Sequence, residues 1–488
     1  MLILVALADS TDALLQDYLT APPCTDLVEL RLDRLADSDL TPLFKAAGKP
    51  RIATCRSRAQ GGFFGGSEPE RRAVLERAIG LGTEFVDLEF ESDDEELLSR
   101  TNQSRPMLSY HHRGGTPLNL EAIYRRMAQR SPDAILKLIP YADACSDNLR
   151  VRALLQLARS EGRELIAFCM GERGKVSRIL ARAWGSWGVY APARSESTTA
   201  PGQLLLSELE EIFREGELNE STPLTGVLGH PVSGSLSPIL YNRAYREMGL
   251  NGCFLPINAE GVAEFLPLLS DLPITGLAVT HPHKQSFAAH CDELDPDAAA
   301  VGAVNTVVRR WNRLVGYNTD IEGALRPLAA VMDLRGARVG ILGCGGSATA
   351  AAYGLNRAGA RVTLFGRDPQ KREAAAGKAG CAAEAWDAAT AFRGDVLINA
   401  TPVGMAPSPA ISPLSWEKAR AEIAFDLVYN PRVTPFLEEA KRSGARIVPG
   451  VSMFLEQAVL QFEILTGKPA PRALFEEILA TELAGKQA

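Results

Sequence analysis

The chain has 488 residues, of which 46% are hydrophobic, and its net charge is −7 with no block of lysine or arginine. This length corresponds to about two to four domains. The acidic balance argues against nucleic acid or an anionic membrane surface as a partner. The eight cysteines are scattered without a C-x-x-C pair, and no apolar run approaches a membrane span. We therefore expect a cytoplasmic protein with free thiols.

Short apolar runs alternate with helix-compatible segments in the first 215 residues. We interpret eight of these runs as strands: Leu2–Leu7, Asp26–Leu30, Arg51–Cys55, Phe85–Phe90, Pro106–Tyr110, Ala134–Ile139, Glu164–Cys169 and Val189–Ala191. Eight such units predict a (β/α)8 barrel, and an open doubly wound sheet is the alternative. A helix is predicted over residues 202–215, followed by a polar linker at 217–223.

A barrel brings the carboxyl ends of its strands together, and catalytic residues lie there. Lys137 is in an otherwise apolar strand, where the ordinary interpretation is a lysine that reaches solvent at the strand end. If Lys137 faces inward, desolvation favours the neutral amine, which can attack a carbonyl to form a Schiff base. A histidine after the fifth run could move protons. Three arginines, at positions 31, 56 and 178, would form a cationic pocket for a small carboxylate.

This half of the sequence resembles the type I 3-dehydroquinate dehydratases. The resemblance is carried, in order along the chain, by Glu29-Leu30-Arg31-Leu32-Asp33, Cys55-Arg56-Ser57, Ser109-Tyr110-His111, Leu136-Lys137-Leu138, Val176-Ser177-Arg178 and Ala200-Pro201-Gly202-Gln203. It implies that Lys137 forms the Schiff base, that His111 is the general acid and base, and that Arg178 binds the substrate carboxylate. The remaining substrate contacts that it implies are Glu29, Arg31, Arg56, Thr199 and Gln203.

Two positions, Gln60 and His112, depart from this pattern or add nothing to it. Gln60 stands where the resemblance leads us to expect a glutamate that orients the catalytic histidine. A neutral amide can bond the ring but stabilises an imidazolium less well. His112 is interpreted as a solvated loop histidine without a role.

The second half begins with a strand near residues 225–229, and a glycine-rich turn follows about a hundred residues later. Gly343, Gly345 and Ala348 fit the G-x-G-x-x-G/A pattern of dinucleotide-binding turns, although an ordinary strand-to-helix turn is the alternative. The next strand ends at Arg367, and Lys371 follows. These cations suit the 2′-phosphate of NADP, while Asp368 partly opposes it. His281 and His283 lack a third ligand, so we predict no metal.

Residues 224–488 resemble shikimate dehydrogenase. The motifs are the serine pair of Ser235 and Ser237, the T-x-P-x-K segment at 280–284, A-V-N-T at 303–306, N-T-D at 318–320, G-x-G-G-x-A at 343–348, Asn399-Ala400-Thr401, Tyr429 with Thr434-Pro435-Phe436, and Gln457. The resemblance implies that Lys284 and Asp320 form the catalytic pair. It implies substrate contacts at Ser235, Ser237, Thr280, Asn305, Tyr429 and Gln457, and NADP contacts at Gly343, Gly345, Gly346, Ser347, Ala348, Arg367, Lys371 and Thr401.

One departure and two alternatives accompany this resemblance. Ala278 stands where the family usually has an asparagine, so one hydrogen bond to a substrate hydroxyl is expected to be missing, which typically costs about 0.5–1.5 kcal/mol. The C-terminal half could instead act on quinate, or the chain could be a non-catalytic sensor of the same compounds. The serine pair favours shikimate, because its hydroxyls suit the carboxylate of a planar ring.

The sequence as a whole therefore predicts a bifunctional α/β enzyme of the shikimate pathway that uses NADP and leads to aromatic amino acids. We expect a dehydratase barrel at 1–216, a linker at 217–223, a dehydrogenase substrate domain at 224–325 and 451–488, and a Rossmann domain at 326–450. The partners are small-molecule substrates, with no metal, nucleic acid or membrane. The sequence leaves the oligomeric state open.

Overall fold

The computed structural model of the chain describes residues 1–35, 38–92, 95–99, 104–405 and 409–484. The chain divides into two compact units. One comprises Met1–Thr222 with Leu255–Pro273, and the other comprises Pro223–Phe254 with the chain from Ile274 onward. Among the described residues, no helix combines the length and the apolar character that crossing a membrane requires.

The first unit contains a sheet of eight strands. The strands are β1 (Leu2–Ala6), β2 (Leu27–Arg31), β3 (Arg51–Thr54), β4 (Phe85–Glu89), β5 (Arg105–His112), β6 (Ile135–Pro140), β7 (Leu165–Ala167) and β8 (Val189–Pro192). The helices between them are α1 (Thr11–Leu19), α2 (Thr41–Lys45), α3 (Glu68–Gly80), α4 (Glu95–Ser99), α5 (Leu120–Arg130), α6 (Asp147–Ser160) and α7 (Lys175–Leu180). Each of the eight predicted strands is confirmed.

The strand order is β7-β6-β5-β4-β3-β2-β1-β8, and the strands are parallel. The two ends of this order approach each other, because the backbone N–H of Trp187, just before β8, donates to Leu165 O of β7 at 2.8 Å. This arrangement is a nearly closed barrel, so the alternative of an open sheet is wrong. Every residue of β1 and β6 is buried, as expected for strands packed on both faces.

The helix predicted over residues 202–215 is wrong in extent. The structure has a wide helical turn at Glu208–Ile212 and a tight turn at Glu215–Glu217. Between them Arg214 adopts a left-handed conformation with φ of 49°, which ends the helical path. Leu209 and Phe213, in and directly after the wide turn, are buried.

A mixed sheet opens the second half of the chain. Its strands are β9 (Leu224–Gly229), β10 (Cys253–Asn258), β11 (Ile274–Val279), β12 (Glu293–Leu294), β13 (Thr306–Arg310) and β14 (Arg313–Tyr317), in the order β10-β9-β11-β13-β14-β12. The helices of this region are α8 (Ser237–Glu247), α9 (Val262–Asp271), α10 (Lys284–Ala288), α11 (Pro296–Val301) and α12 (Asp320–Ala329).

A parallel sheet follows, built from β15 (Arg338–Leu342), β16 (Arg361–Gly366), β17 (Ala382–Ala385), β18 (Arg393–Asn399), β19 (Arg420–Asp426) and β20 (Arg446–Val448). The helices are α13 (Gly346–Arg357), α14 (Pro369–Ala379), α15 (Pro435–Arg442), α16 (Gly450–Thr466) and α17 (Arg472–Ala484). The order β17-β16-β15-β18-β19-β20 is the doubly wound order of dinucleotide-binding domains, which confirms the predicted Rossmann fold. The strand order reverses between the parallel strands β15 and β18, and such folds bind their ligands at this point.

Candidate active sites

A pocket at the carboxyl ends of the barrel strands gathers all the site residues predicted in the first half. It is lined by Glu29, Arg31, Arg56, His111, Lys137, Arg178, Thr199 and Gln203, together with Gln60, Tyr190 and neighbouring apolar residues. These side chains come from β2, β5, β6 and β8 and from the segments after β3, β7 and β8, so the barrel arrangement brings them together.

Lys137 points into the barrel and not to solvent, because its side chain is only 5% exposed. Its Nζ lies 3.1 Å from Asp87 Oδ2 and 3.4 Å from Glu29 Oε1. The ring of Tyr190 lies against the same nitrogen, with its centroid at 3.9 Å. The amine is therefore fixed between two carboxylates and an aromatic face.

The sequence analysis missed Asp87 and Glu89, the two carboxylates of β4. Arg56 Nη2 pairs with Asp87 Oδ2 at 2.6 Å, and Arg56 Nη1 lies 3.5 Å from Glu89 Oε1. Burial opposes ionisation of Asp87, but Arg56 and Lys137 outweigh it and hold the pKa of this carboxyl below its usual range. The sequence of β4 contains a pattern that could have identified them: in Phe-Val-Asp-Leu-Glu the two acidic residues alternate along the strand and therefore face the same side.

His111 is the last but one residue of β5, and its Nδ1 is buried without a hydrogen-bond partner among the described residues. Burial, and then the nearby charges of Arg56 and Lys137, lower the pKa of His111 well below the ordinary value. The imidazole is therefore neutral near pH 7 and can accept a proton. His112, interpreted from the sequence as a loop residue, ends β5, and its Nδ1 lies 3.0 Å from Gly115 O.

Gln60 contacts the main chain of the histidine and not its ring. Its Oε1 accepts a hydrogen bond from the backbone N–H of His111 at 2.8 Å, while its Nε2 donates to Glu91 Oε2 at 3.2 Å. The expected orienting contact from this position to the imidazole is absent from the described structure. The amide instead ties the end of β5 to the loop after β3.

Arg178 is the buried cation of this pocket that lacks a carboxylate partner among the described residues. Its Nε is buried without a hydrogen-bond partner, and its Nη2 reaches only Pro201 O at 3.5 Å. Burial lowers the pKa of Arg178 to about 10. By contrast, Arg31 is engaged by Asp33 through two bonds of 2.8 and 2.9 Å. An unpaired buried guanidinium is suited to an incoming carboxylate.

The loop after β8 supplies the last two predicted residues of the barrel pocket. Thr199 N donates to Gln203 Oε1 at 2.9 Å, and the Thr199 hydroxyl lies 3.3 Å from the same oxygen. Both residues are half-buried. The amide nitrogen of Gln203 therefore remains directed away from this contact, which leaves a donor for a ligand.

In the second unit, Lys284 and Asp320 form the predicted pair. Lys284 Nζ lies 2.5 Å from Asp320 Oδ2, and Asn305 Nδ2 donates to the other oxygen, Oδ1, at 2.7 Å. The lysine begins α10 and the aspartate begins α12, so two helix starts hold the pair. The carboxylate is buried, whereas the lysine side chain is 17% exposed. Asp320 thus holds the ammonium of Lys284, and the lysine side chain remains partly accessible to a ligand.

The predicted substrate contacts of this unit are connected to that pair through α16. Gln457 Oε1 lies 3.5 Å from Asn305 Nδ2. Tyr429 packs on Phe454 of the same helix, with ring centroids 4.5 Å apart. Burial raises the pKa of Tyr429 to about 12, partly offset by a hydrogen bond to the backbone of Leu236, which lies between the two serines.

The serine turn and the segment after β11 complete this set. Ser237 N donates to Ser235 Oγ at 3.3 Å, and Ser237 is buried at the first position of α8. Thr280 is half-buried directly after β11, and its N–H donates to Leu228 O at 2.9 Å. Ala278, the departure noted in the sequence, lies in an apolar cluster with Val227.

The glycine-rich turn after β15 has the features of a phosphate cradle. Gly343 has φ of 111°, a conformation that favours glycine, and a Cβ there would lie 3.2 Å from Ala400 O. A Cβ on Gly345 would meet no atom within 4 Å, so the space before α13 is open. Gly345 caps the helix without a side-chain bond, which leaves backbone N–H groups for an anion. Ala348 is fully buried in the core, where its small side chain permits close packing of helix on sheet.

The residues after β16 are arranged to accept a ribose phosphate. Asp368 caps α14, since its side chain accepts from Lys371 N at 3.1 Å. Because the Asp368 carboxylate accepts this hydrogen bond from the helix backbone, it repels a 2′-phosphate less than the sequence suggested. Arg367 and Lys371 are exposed, and the Arg367 guanidinium lies 5.9 Å from the centroid of the Trp386 ring. The residues present fit a 2′-phosphorylated dinucleotide.

Thr401 lies at the carboxyl end of β18, beside this turn in the sheet order. Its hydroxyl donates to Asn399 Oδ1 at 2.7 Å. Asn399 in turn donates to Asp426 Oδ1 at 2.9 Å, so a buried network supports the loop. Of the two histidines considered as metal ligands, His283 is buried and His281 is exposed, and no group of three or more potential ligands occurs among the described residues.

Comparison with protein families matches both halves of the chain. A model described as type I 3-dehydroquinase matches residues 3–219. A model described as the shikimate dehydrogenase substrate binding domain matches residues 227–307, and the shikimate 5′-dehydrogenase C-terminal domain matches 450–479. Residues 338–419 match a model described as NADP oxidoreductase, coenzyme F420-dependent.

Individual relatives extend over nearly the whole chain. A chloroplastic bifunctional 3-dehydroquinate dehydratase/shikimate dehydrogenase of Arabidopsis thaliana is 33% identical, over 97% of this chain and 83% of the relative. A shikimate biosynthesis protein of Chlamydia pneumoniae is 30% identical, over 92% of each chain. The solved structure of a shikimate dehydrogenase in complex with NADP+ matches with 31% identity and a TM-score of 0.51, over 54% of this chain and 97% of that chain.

Proposed function

The chain belongs to the family of bifunctional 3-dehydroquinate dehydratase/shikimate dehydrogenases, and we propose that it catalyses both reactions in sequence. The barrel removes water from 3-dehydroquinate, and the second unit reduces the resulting 3-dehydroshikimate to shikimate with NADPH. The product of the first reaction is the substrate of the second. A relative named as a bifunctional enzyme, which matches over most of the chain, favours this function over a non-catalytic sensor.

The dehydratase proposal rests on one observation: the barrel pocket holds a buried amine, a neutral imidazole and an unpaired guanidinium together. Arg178 binds the substrate carboxylate and so orients the ring. Lys137 passes one proton from its ammonium to the neutral imidazole of His111, and its amine then attacks the ketone carbon to form a C–N bond. The carbonyl oxygen takes the proton back from His111 and leaves as water. The resulting imine withdraws electrons from the neighbouring carbon and makes its C–H bond acidic.

His111 is then the group that moves protons. Its neutral imidazole accepts the proton from the carbon beside the imine carbon, and the imidazolium gives that proton to the departing hydroxyl group. A second water molecule hydrolyses the imine and returns the free amine of Lys137. Glu29, Arg56 and Gln203 bind the hydroxyl groups of the ring, and Thr199 and Arg31 complete the pocket wall.

Borohydride trapping tests the dehydratase proposal. Reduction of the imine converts it to a stable secondary amine, so incubation with 3-dehydroquinate and borohydride should add the substrate skeleton to Lys137. Peptide mass spectrometry locates the adduct, and a sample without substrate is the control. An unmodified Lys137 in enzyme that remains fully active would refute the Schiff base.

The reductase proposal rests on the Lys284–Asp320 pair and its position beside the glycine-rich turn. A Cβ on Gly346 would lie 3.5 Å from Lys284 Cβ, so the turn and the lysine are neighbours. When bound, NADPH supplies the hydride that the ketone carbon accepts. As negative charge develops on the ketone oxygen, the ammonium of Lys284 stabilises it and supplies the proton. Asp320 holds the ammonium in place.

The cofactor and substrate contacts follow from the same geometry. We assign the pyrophosphate to Gly345, Gly346 and Ser347, next to the sharp turn at Gly343. The 2′-phosphate would be held by Arg367 and Lys371. Thr401 borders the point where the strand order reverses. Ser235, Ser237, Thr280, Asn305, Tyr429 and Gln457 would hold shikimate. Comparing turnover of shikimate and quinate, each with NADP and NAD, tests this assignment. Higher kcat/KM with quinate would replace shikimate by quinate as the substrate.

The domain boundaries and the location of the enzyme are part of the proposal. We infer a barrel domain at 1–216, a linker at 217–223, a substrate domain at 224–325 with 451–488, and a Rossmann domain at 326–450. The family matches at 3–219 and 227–307 and the division of the compact units after Thr222 support the first boundaries. Eight free cysteines support a reducing, cytoplasmic environment.

A further inference from the structure

Ser347 lies where the glycine-rich turn meets the lysine–aspartate pair. It is the second residue of α13. Lys284 Nζ donates to Ser347 Oγ at 2.9 Å, and the Ser347 hydroxyl donates to Asp320 Oδ2 at 3.0 Å. Because Lys284 Nζ and Asp320 Oδ2 are themselves 2.5 Å apart, the three polar atoms form a closed triangle. The hydroxyl uses its single proton on the carboxylate and a lone pair on the ammonium.

The sequence assigns Ser347 to the cofactor, but the two parts of this residue have different surroundings. Its backbone N–H belongs to the first turn of α13, where amides face a bound phosphate. Its side chain turns towards the lysine–aspartate pair. The main chain of Ser347 is thus part of the cofactor cradle, while its hydroxyl contacts Lys284 and Asp320.

We propose that Ser347 is a positioning residue of the reductase, whose hydroxyl fixes the Lys284 ammonium at the place where the ketone oxygen gains charge. This proposal rests on the reductase function proposed above. Asp320 is already fixed from its other side, because Asn305 Nδ2 holds Oδ1 at 2.7 Å. Lys284 has a flexible four-carbon stem, and the described structure gives its ammonium two partners, Asp320 and Ser347. Ser347 therefore removes much of the freedom that the carboxylate alone leaves to the ammonium.

A loss of this contact should act on the chemical step and not on ligand binding. A hydrogen bond to a charged group and the accuracy with which it places a reacting group are together worth about 10- to 100-fold in rate. Ser347→Ala removes the hydroxyl but keeps the backbone N–H and the helix. We expect kcat for shikimate oxidation to fall by about that factor, with KM for shikimate changed by less than about threefold.

The dissociation constant of NADPH provides a readout other than activity. It can be measured by fluorescence titration, and we expect Ser347→Ala to change it by less than about threefold, because the phosphate-facing amide is kept. Ser347→Thr retains a hydroxyl on the same carbon and should restore most of kcat. Ser347→Gly is a second variant without the hydroxyl and should resemble Ser347→Ala.

Thr349 offers a matched control in the same helical turn. Its hydroxyl donates to Gly345 O at 3.0 Å and does not touch the lysine–aspartate pair. Thr349→Val removes this hydroxyl with little change of shape, and we expect kcat to stay within about threefold. Circular dichroism and the unfolding midpoint of each variant confirm that it is folded.

The outcomes separate the positioning role from its alternatives. If Ser347→Ala and Ser347→Gly keep normal kcat, or if they weaken NADPH binding while kcat at saturating NADPH is normal, Ser347 is a cofactor contact only. A folded Ser347→Thr variant as slow as Ser347→Ala also overturns the proposal. If the wild-type protein itself does not oxidise shikimate with NADP, the reductase function has failed, and the Ser347 variants are then not the cause.

Discussion

Two buried aspartates, one in each unit, show how neighbours decide the state of a carboxyl group. Asp87 in the barrel and Asp426 in the Rossmann sheet are both fully buried. Asp87 touches Arg56 and Lys137, which hold its pKa below the usual range against the effect of burial. In the part of the chain that the structure describes, the donors to Asp426 are all neutral, and burial raises its pKa to about 7.

The neutral donors around Asp426 do not compensate for the loss of water. Asn399 Nδ2 donates to Oδ1 at 2.9 Å, Val428 N donates to the same oxygen at 2.9 Å, and Thr434 donates to Oδ2 at 2.5 Å. Hydrogen bonds to the ionised form lower a pKa, but here they only reduce the effect of burial. The same residue type at the same depth is thus a fixed anion in the barrel and a titrating group in the Rossmann sheet.

The two proposed catalytic sites also differ in how their charged groups are arranged. The barrel forms and breaks a covalent bond, and its charges are buried and paired in advance, apart from the guanidinium of Arg178. The reductase site has a partly exposed ammonium beside a cofactor cradle, and NADPH brings the reactive hydride. The barrel site should therefore be the more sensitive of the two to removal of a single side chain.

Removal of Lys137 should produce the largest effect. Lys137→Ala eliminates the nucleophile, and we expect dehydratase kcat to fall by at least about 10⁴-fold, because no covalent route remains. Reduction of added 3-dehydroshikimate by the same protein should stay within about twofold, since Lys284 and Asp320 are separate residues of the other unit. Formation of the conjugated product, followed by absorbance, measures the first activity, and NADPH oxidation measures the second.

Lys45 provides the control for this experiment, since it is an exposed lysine at the end of α2 in the same barrel. Lys45→Ala should leave both activities unchanged. If Lys137→Ala retained substantial dehydration while its unfolding midpoint was normal, covalent catalysis at this residue would be wrong. Loss of both activities together would instead indicate that the buried charge cluster is needed for folding.

Arg178 tests whether an unpaired buried cation is reserved for the substrate. Arg178→Lys keeps a positive charge but loses the planar fork that binds a carboxylate through two bonds. We expect KM for 3-dehydroquinate to rise by about 100-fold, within the 2–5 kcal/mol measured for broken buried charge pairs. Steady-state kinetics and the binding constant of the product measure this change.

Arg159→Lys is the matched control for this substitution. Arg159 is 69% exposed and pairs with Glu220, so its replacement should change KM by less than about twofold. An unchanged KM in Arg178→Lys would show that the substrate carboxylate is bound elsewhere in the pocket. Arg31 and Arg56 would be poor substitutes, because Asp33 and Asp87 already engage them.

The barrel was predictable from the sequence because each strand is an apolar run bounded by polar segments. Lys137, His111 and Arg56 line one pocket in the structure, since residues at the carboxyl ends of barrel strands converge. The partners of Lys137 were not predicted. Asp87 lies about fifty residues away, and only the closure of the barrel brings its carboxylate to the amine.

Other features depend on packing that the sequence does not display. The helix expected over 202–215 is replaced by a wide turn and a tight turn, which are separated by the left-handed backbone of Arg214. The contact of Gln60 with the main chain of His111 depends on the path of a loop, not on residue type. In the second unit the motifs placed Ser347 correctly at the glycine turn, but only coordinates reveal the direction of its hydroxyl.

Replacing Asp426 tests the other half of the comparison through the pH dependence of stability. The pKa of Asp426 is about 7 in the folded protein and the ordinary value of an aspartate is 3.8, so the folded state binds more protons between these values. Stability of the wild-type protein therefore falls as pH rises through this window, and the group is least favourable above pH 7. Asp426→Asn removes the charge, so its unfolding free energy relative to wild type should rise by about 2 kcal/mol between pH 5 and pH 8.

Urea denaturation at several pH values measures this difference. Asp387→Asn, at an exposed position in the same domain, should show no such trend. If the stability difference between Asp426→Asn and wild type did not change with pH, Asp426 would not titrate in the folded protein. The comparison with Asp87 would then no longer hold.

Gln60→Glu should produce the smallest effect and sharpens the account of His111. The new carboxylate can still accept the backbone N–H of His111, but it lies where the amide now donates to Glu91, an exposed residue. The lost bond and the repulsion between two carboxylates at this accessible position are worth no more than about 1 kcal/mol, or about fivefold in dehydratase kcat.

The direction of the Gln60→Glu effect distinguishes two geometries. A main-chain contact predicts slightly lower kcat and an unchanged acid limb of the pH–rate profile. A carboxylate that reached the imidazole would stabilise the imidazolium and move the acid limb to higher pH. Gln60→Met, which has similar length but cannot accept the His111 N–H, serves as the control for the backbone bond. A shifted acid limb in Gln60→Glu would mean that this side chain contacts the ring during turnover.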